Sequence, residues 1–225
     1  MRNGVKFTDK MAAAYTLTTA EQTLADTLHA SNLTHSEIWD GSVAAIPNVK
    51  GIDRDALKTK IKDFVQKGQN GFCYYCGVSF ILRNGEKGVR GAQRDHIAAK
   101  SDYKQFTFEP RNIILACAKC NSTDYKGTLP TVEKEARKYH RFKFLIVHPY
   151  FDKLSSHLRL QPDGRLELVR NSKKGKATKD MFGLDETFEV ELRAMCQLYD
   201  ELGVNNSTEL RIALAVAPNR TVHKK

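Results

Sequence analysis

Two pairs of cysteines carry the clearest chemistry in the sequence. Cys73 and Cys76 stand two residues apart in "FCYYCGVSF", and the same spacing returns at Cys117 and Cys120. Thiolate pairs at this spacing are ligands for a tetrahedral zinc ion. Four thiolates leave no open coordination position, so such a Zn²⁺ is structural. About forty residues separate the pairs, more than a bare zinc ribbon needs. That interval holds Asp95 and His96 in "RDHIAAKS" and Asn112 in "FEPRNIILAC". Asn121 follows the last cysteine directly, and Lys126 lies five positions further on. Taken singly, each has a plain reading: a surface Asp-His pair, a turn asparagine, a solvated lysine. Taken in order between two zinc knuckles, they form a specific constellation.

The rest of the chain must position these residues. The 225 residues, 41 % hydrophobic and 28 % charged, suffice for one compact domain or two small ones. The formal charge of +10 favours a polyanionic partner, above all nucleic acid, over a merely solubilising surface. No apolar run approaches the roughly 18 residues of a membrane span, and "FKFLIVHPYF" is broken by His148 and Pro149. The first twenty residues lack the apolar stretch of a signal peptide, so a cytoplasmic, reducing location is the default expectation. Cys196 stands alone in "ELRAMCQLYDEL" and reads as a core residue.

Apolar spacing divides the chain into three regions. Residues 1–70 read as a mainly helical lead-in: a helix over 18–30 with a Thr cap, a break or short helix in "SNLTHSEIWDG", and an amphipathic helix in "DRDALKTKIKDFVQKGQNG" stopped by Gly68 and Gly71. Residues 71–130 carry the chemistry. Residues 131–225 begin with "TVEKEARKYHRF", which reads as helical, then the β-like run "KFLIVHPY" and a hairpin around Pro162-Asp163-Gly164. A basic loop, "NSKKGKATKD", precedes a helix ending near Gly203, and "STELRIALAVA" reads as one more helix before a frayed tail. Two basic runs, Lys134 to Lys143 and Arg170 to Lys179, could each track a phosphate backbone or simply face solvent.

The set Cys73, Cys76, Asp95, His96, Asn112, Cys117, Cys120 and Asn121 resembles the HNH endonuclease family over about sixty residues. The resemblance implies an α+β protein with a zinc-clamped ββα-metal core and metal-dependent hydrolysis of phosphodiester bonds in DNA. It implies His96 as general base, Asp95 and Asn121 as ligands of a catalytic Mg²⁺ or Mn²⁺, and Asn112 as a brace for the loop that orients the histidine. The chemistry agrees. Histidine can accept a proton from water near neutral pH. Carboxylate and amide oxygens suit a hard cation that stabilises the charged transition state. Adjacent residues on a strand point to opposite faces, so a shared site needs the strand to end or bend at Asp95 and His96. Asn121 stands where the family often has His, as in the HNH domain of RNA-guided DNA nucleases. The family's following Lys comes two residues late here, as Lys126, which leaves its phosphate contact open. Arg94 and Lys100 flank the Asp-His pair and are the better phosphate contacts.

"HPYFDKLSSHL" offers His148, Asp152 and His157 as a second metal set, although a turn of packed aromatics is the stronger reading. Together with the hairpin and helix that follow, this segment more loosely resembles HNH effectors of anti-phage systems of the Septu and retron-associated types. That resemblance implies a partner ATPase. The rival readings are a zinc-clamped nucleic-acid-binding module without catalysis and an adaptor with a vestigial HNH unit.

Overall fold

The computed structural model describes residues 4–127 and 129–201, apart from the side chains of Glu86 and Tyr199. The expected stop at Gly203, helix over 207–217 and tail over 218–225 lie outside the described residues. Among the described residues, helices are mixed with three two-stranded antiparallel sheets.

Helix α1 (Thr19–Ala30) and helix α2 (His35–Trp39) start for the same local reason. Thr18 and Glu21 form one capping box, Thr34 and Glu37 another. Each box satisfies backbone donors that the first turn leaves open. Helix α3 (Gly51–Gln69) buries Leu57, Ile61 and Val65 on one face. It ends at Asn70 and Gly71, both at positive φ (53° and 88°). Gly68 does not stop it, contrary to expectation. Gly68 lies within the last turn with ordinary helical backbone, and the tip of the Met11 side chain packs against it.

Residues 4–17 run largely without helix, so the lead-in is less helical than its pattern suggested. The segment straps two later parts of the chain. Lys6 N–H donates to Gly77 O at 2.7 Å, and Met11 N–H donates to Pro149 O at 2.8 Å. Short helix α4 (Phe80–Asn84) follows the first cysteine pair. Strands β1 (Gln93–His96) and β2 (Ile113–Ala116) then form an antiparallel hairpin with Asp95 opposite Ile114 and His96 opposite Ile113. Gln69 at the end of α3 extends this hairpin with its side chain. Its amide donates to Leu115 O and accepts from Leu115 N, both at 2.8 Å. The helix that a ββα core would place after β2 is instead a run of turns over 118–127.

Two expectations for the C-terminal region are corrected. "TVEKEARKYHRF" is not helical: β3 (Val132–Lys134) pairs with β4 (Lys143–Phe144), and a single 3₁₀ turn covers Tyr139–Arg141. The distant partner strand outweighs the local helical pattern. "NSKKGKATKD" is not a loop: α5 (Lys173–Met181) starts at Ser172, whose Oγ accepts from Gly175 N–H at 3.0 Å. The hairpin β5 (Leu158–Leu160) with β6 (Leu166–Leu168) and the helix α6 (Thr187–Glu201) stand as expected. Cys196 on α6 is fully buried. One continuous cluster of buried side chains joins Leu28, Ile61, Ile114, Phe144, Phe182 and Leu192, and so links all three regions.

Candidate functional site

The four knuckle cysteines converge. Their sulfurs lie within 4.8 Å of one another, and all four residues are buried. Cys76 Sγ and Cys117 Sγ are 3.9 Å apart. A zinc tetrathiolate with Zn–S bonds of about 2.3 Å has S···S edges of about 3.8 Å, so the donor set and its size fit zinc. Cys117 N–H donates to Cys73 Sγ at 3.3 Å, which suits a sulfur carrying negative charge. No other group of three His, Cys, Asp or Glu side chains is placed to hold a metal among the described residues. The segment from His148 to His157 is the aromatic turn. His148 stacks on Phe151 with centroids 4.1 Å apart, and its ring nitrogens meet Tyr139 Oη and Tyr150 N–H.

Asp95 and His96 occupy opposite faces of β1, as strand alternation demands. The Asp95 carboxylate, 4 % exposed, accepts from Lys126 Nζ at 2.9 Å on Oδ1 and from the Tyr75 hydroxyl on Oδ2. Lys126 also donates to His96 O at 2.8 Å. Burial, and then the Asp95 charge, push the Tyr75 phenol well up, so it remains a donor. Phe182 stacks on the Tyr75 ring at 3.7 Å. Lys126 is thus a buried counter-ion, 2 % exposed, and not a phosphate contact in this arrangement.

His96 faces the other way. Its ring meets Trp39 edge to face at 4.5 Å, and its Nε2 lies 2.9 Å from Thr107 O. A carbonyl oxygen only accepts, so Nε2 carries the proton and Nδ1 keeps the basic lone pair. Burial pushes the His96 pKa down to about 3, opposed by the Thr107 carbonyl and reinforced by Lys100, Lys126 and Arg94. The ring is therefore neutral, the state a proton acceptor requires. Arg94 shares this face, with its guanidinium 5.6 Å from the Trp39 ring.

Asn112 holds the loop after β1. It accepts from Ala98 N–H at 2.8 Å and donates to Ala98 O and Phe106 O at 3.1 and 3.0 Å. Tyr139 Oη donates to the same Asn112 oxygen at 2.9 Å and lies 3.0 Å from His148 Nε2. A buried polar chain thus runs from the HNH loop into the aromatic turn. Asn121 sits on the Asp95 side of the hairpin, where its amide donates to Gln93 Oε1 at 2.7 Å. Asp95 and Asn121 do not fit a divalent cation as arranged, because both Asp95 oxygens already hold Lys126 and Tyr75. Sequence reasoning missed Trp39, Tyr75, Thr107 and Tyr139. Their contacts are non-local, and only the position of Tyr75 between the two cysteines of the first knuckle hinted at a role.

Comparison with known families matches residues 73–127 to the family described as HNH endonuclease. This segment is an HNH domain. A curated relative, "Septu protein PtuA" of Bacillus mycoides (strain KBAB4), is 25 % identical over 152 residues, which cover 63 % of this chain. The matched part is 21 % of that protein, so the chain spans about a fifth of its length. The match begins at the first zinc knuckle and ends one residue after Lys126, the counter-ion of Asp95.

Proposed function

We propose that the HNH domain hydrolyses phosphodiester bonds in DNA, with His96 as the base that takes the proton from the attacking water. The observation that carries this reading is the contact from His96 Nε2 to Thr107 O. It fixes the tautomer and assigns the lone pair to Nδ1, while burial keeps the ring neutral. Asn112 and Trp39 hold the ring and its loop from two sides. The net charge of +10 draws in the polyanion. The catalytic Mg²⁺ or Mn²⁺ implied by the family would need Asp95 to be released from Lys126. The looser resemblance to anti-phage HNH effectors makes defence the setting of this activity and a partner ATPase its regulator, and the match to Septu protein PtuA supports the Septu side of that resemblance.

The second reading, a zinc-clamped nucleic-acid binder without catalysis, is favoured by one observation: Asp95 is closed off by Lys126 and Tyr75. A cleavage assay on supercoiled plasmid with Mg²⁺ or Mn²⁺ separates the two, run beside a DNA-binding measurement on the same samples. Nicking by wild type and none by His96→Ala, with binding equal in both, supports the enzyme. Binding without cleavage by either protein supports the second reading.

A further inference from the structure

A group of buried charges lies beside the cysteine cluster and belongs to none of the expected motifs. Glu189 at the start of α6 is fully buried. Three cations surround it. Arg83 of α4 donates to its Oε2, Lys119 Nζ lies 3.3 Å from Oε1, and Arg193 Nη1 lies 3.9 Å from Oε2. Arg193 is fully buried and is further tied to Gly164 O at 2.7 Å and Leu184 O at 2.5 Å. Lys119 also donates to Phe182 O at 3.0 Å, and Glu186, about half exposed, approaches it from the solvent side at 3.6 Å. Arg83 Nε, Arg193 Nη1 and Glu189 Oε1 are buried without a hydrogen-bond partner.

Glu189 and the half-exposed Glu186 answer two of the three cations, which leaves one positive charge in excess. Uncompensated charge in the interior is costly, so a counter-charge must lie nearby. A zinc ion held by four thiolates is formally dianionic, and the cysteine cluster is the adjacent group able to supply that charge. Burial works against the Arg83 charge, and Cys76 is the largest influence that opposes it, ahead of Glu189 and Cys117. Arg193 is likewise opposed by burial and supported by Glu189 and then Cys76. Arg83 leaves the chain seven residues after Cys76, and Lys119 sits between Cys117 and Cys120. The cations therefore approach the cluster from both knuckles and from α6.

We infer that Arg83, Lys119 and Arg193 are the counter-cations of a zinc tetrathiolate, so that the metal locks α6 onto the HNH domain. Zinc then organises more than the loop between the knuckles. Without it the cations lose the dianionic charge of the cluster, and the first turns of α6 lose their electrostatic anchor. The inference needs the zinc cluster alone and stands whether or not the protein cleaves DNA.

The test uses the full chain and two readouts. Hydrogen exchange is measured over residues 187–201 before and after zinc is stripped with a strong chelator. Zinc affinity is measured by competition with a chromophoric chelator for wild type, Arg83→Met, Glu189→Gln and the double variant. Stripping zinc should speed exchange in 187–201. Arg83→Met should weaken zinc binding by about 10- to 100-fold. Glu189→Gln adds no negative charge beside the thiolates and should hold zinc at least as tightly as wild type. The double variant restores the balance of charge and should recover most of the affinity lost by Arg83→Met. Equal weakening by both single variants would show a packing effect and overturn the inference. So would unchanged exchange in 187–201 after zinc removal.

Discussion

Lys126 is the residue whose environment most changes the chemistry of the site. Its ammonium neutralises Asp95, the ligand that the proposed catalytic cation would need, and both groups are almost wholly buried. Removing one partner of a buried pair typically costs about 3–5 kcal/mol, because the other charge is left unpaired. Lys126→Ala should therefore lower the melting temperature strongly. It should also free one oxygen of Asp95. Added Mg²⁺ should then raise the melting temperature of Lys126→Ala more than that of wild type, and Lys126→Ala/Asp95→Asn should lose this response. Thermal unfolding with and without Mg²⁺ checks both statements. Equal Mg²⁺ responses in all three proteins would mean that Asp95 takes no cation even when released. The residue types gathered around this hairpin could be read from the sequence because they are chemically distinctive. That Lys126 sits on Asp95 could not, since the two are thirty-one positions apart with a hairpin between them.

Elements that cap themselves were legible, and elements that depend on distant partners were not. Thr18 with Glu21 and Thr34 with Glu37 announce α1 and α2 within four residues. Pro162-Asp163-Gly164 likewise announces the β5–β6 hairpin, with Gly164 at φ 81°. Strand β3 exists because β4 lies beside it, which no local pattern states. Helix α5 was obscured by its lysines and by Gly175, although Ser172 was a usable signal. Gly175 is there because a Cβ would meet His157 O at 2.6 Å. The Ser172 hydroxyl oxygen caps Gly175 N–H and also lies 2.6 Å from His157 Nδ1, which ties α5 to the start of the β5 hairpin. Ser172→Ala removes both contacts. It should cost about 1 kcal/mol as a lost cap, with the His157 contact adding to that. Denaturant unfolding measures the loss, and Ser172→Thr or Ser172→Asp should restore much of it. An unchanged midpoint in Ser172→Ala would mean that α5 is held by packing alone.

On the scale of the whole molecule, the two basic runs that looked alike in sequence are not alike in space. In the run over 170–179, Lys174 pairs with Asp152, Lys176 with Asp180 and Lys179 with Asp185, so most of its charge is already matched. Lys134, Arg137, Lys138, Arg141 and Lys143 are all exposed and make no ion pair among the described residues. They lie on the β3–β4 hairpin and its connection. Tyr139, in that same connection, bonds Asn112 and so joins the hairpin to the loop behind His96. Unpaired surface cations release condensed counterions when they meet a phosphate, whereas paired ones must first break their own contacts. The 134–143 run is therefore the stronger candidate for the proposed DNA contact. Replacing Arg137 and Arg141 by Glu should weaken binding of duplex DNA and flatten its dependence on log salt by about two, since each phosphate contact contributes about 0.9 to the slope. The matching change at Lys174 and Lys179 should alter the slope little. Binding isotherms at several salt concentrations decide between them. Equal slopes for the two double variants would mean that position within the fold does not govern which charges meet the backbone, and that net charge alone holds the nucleic acid.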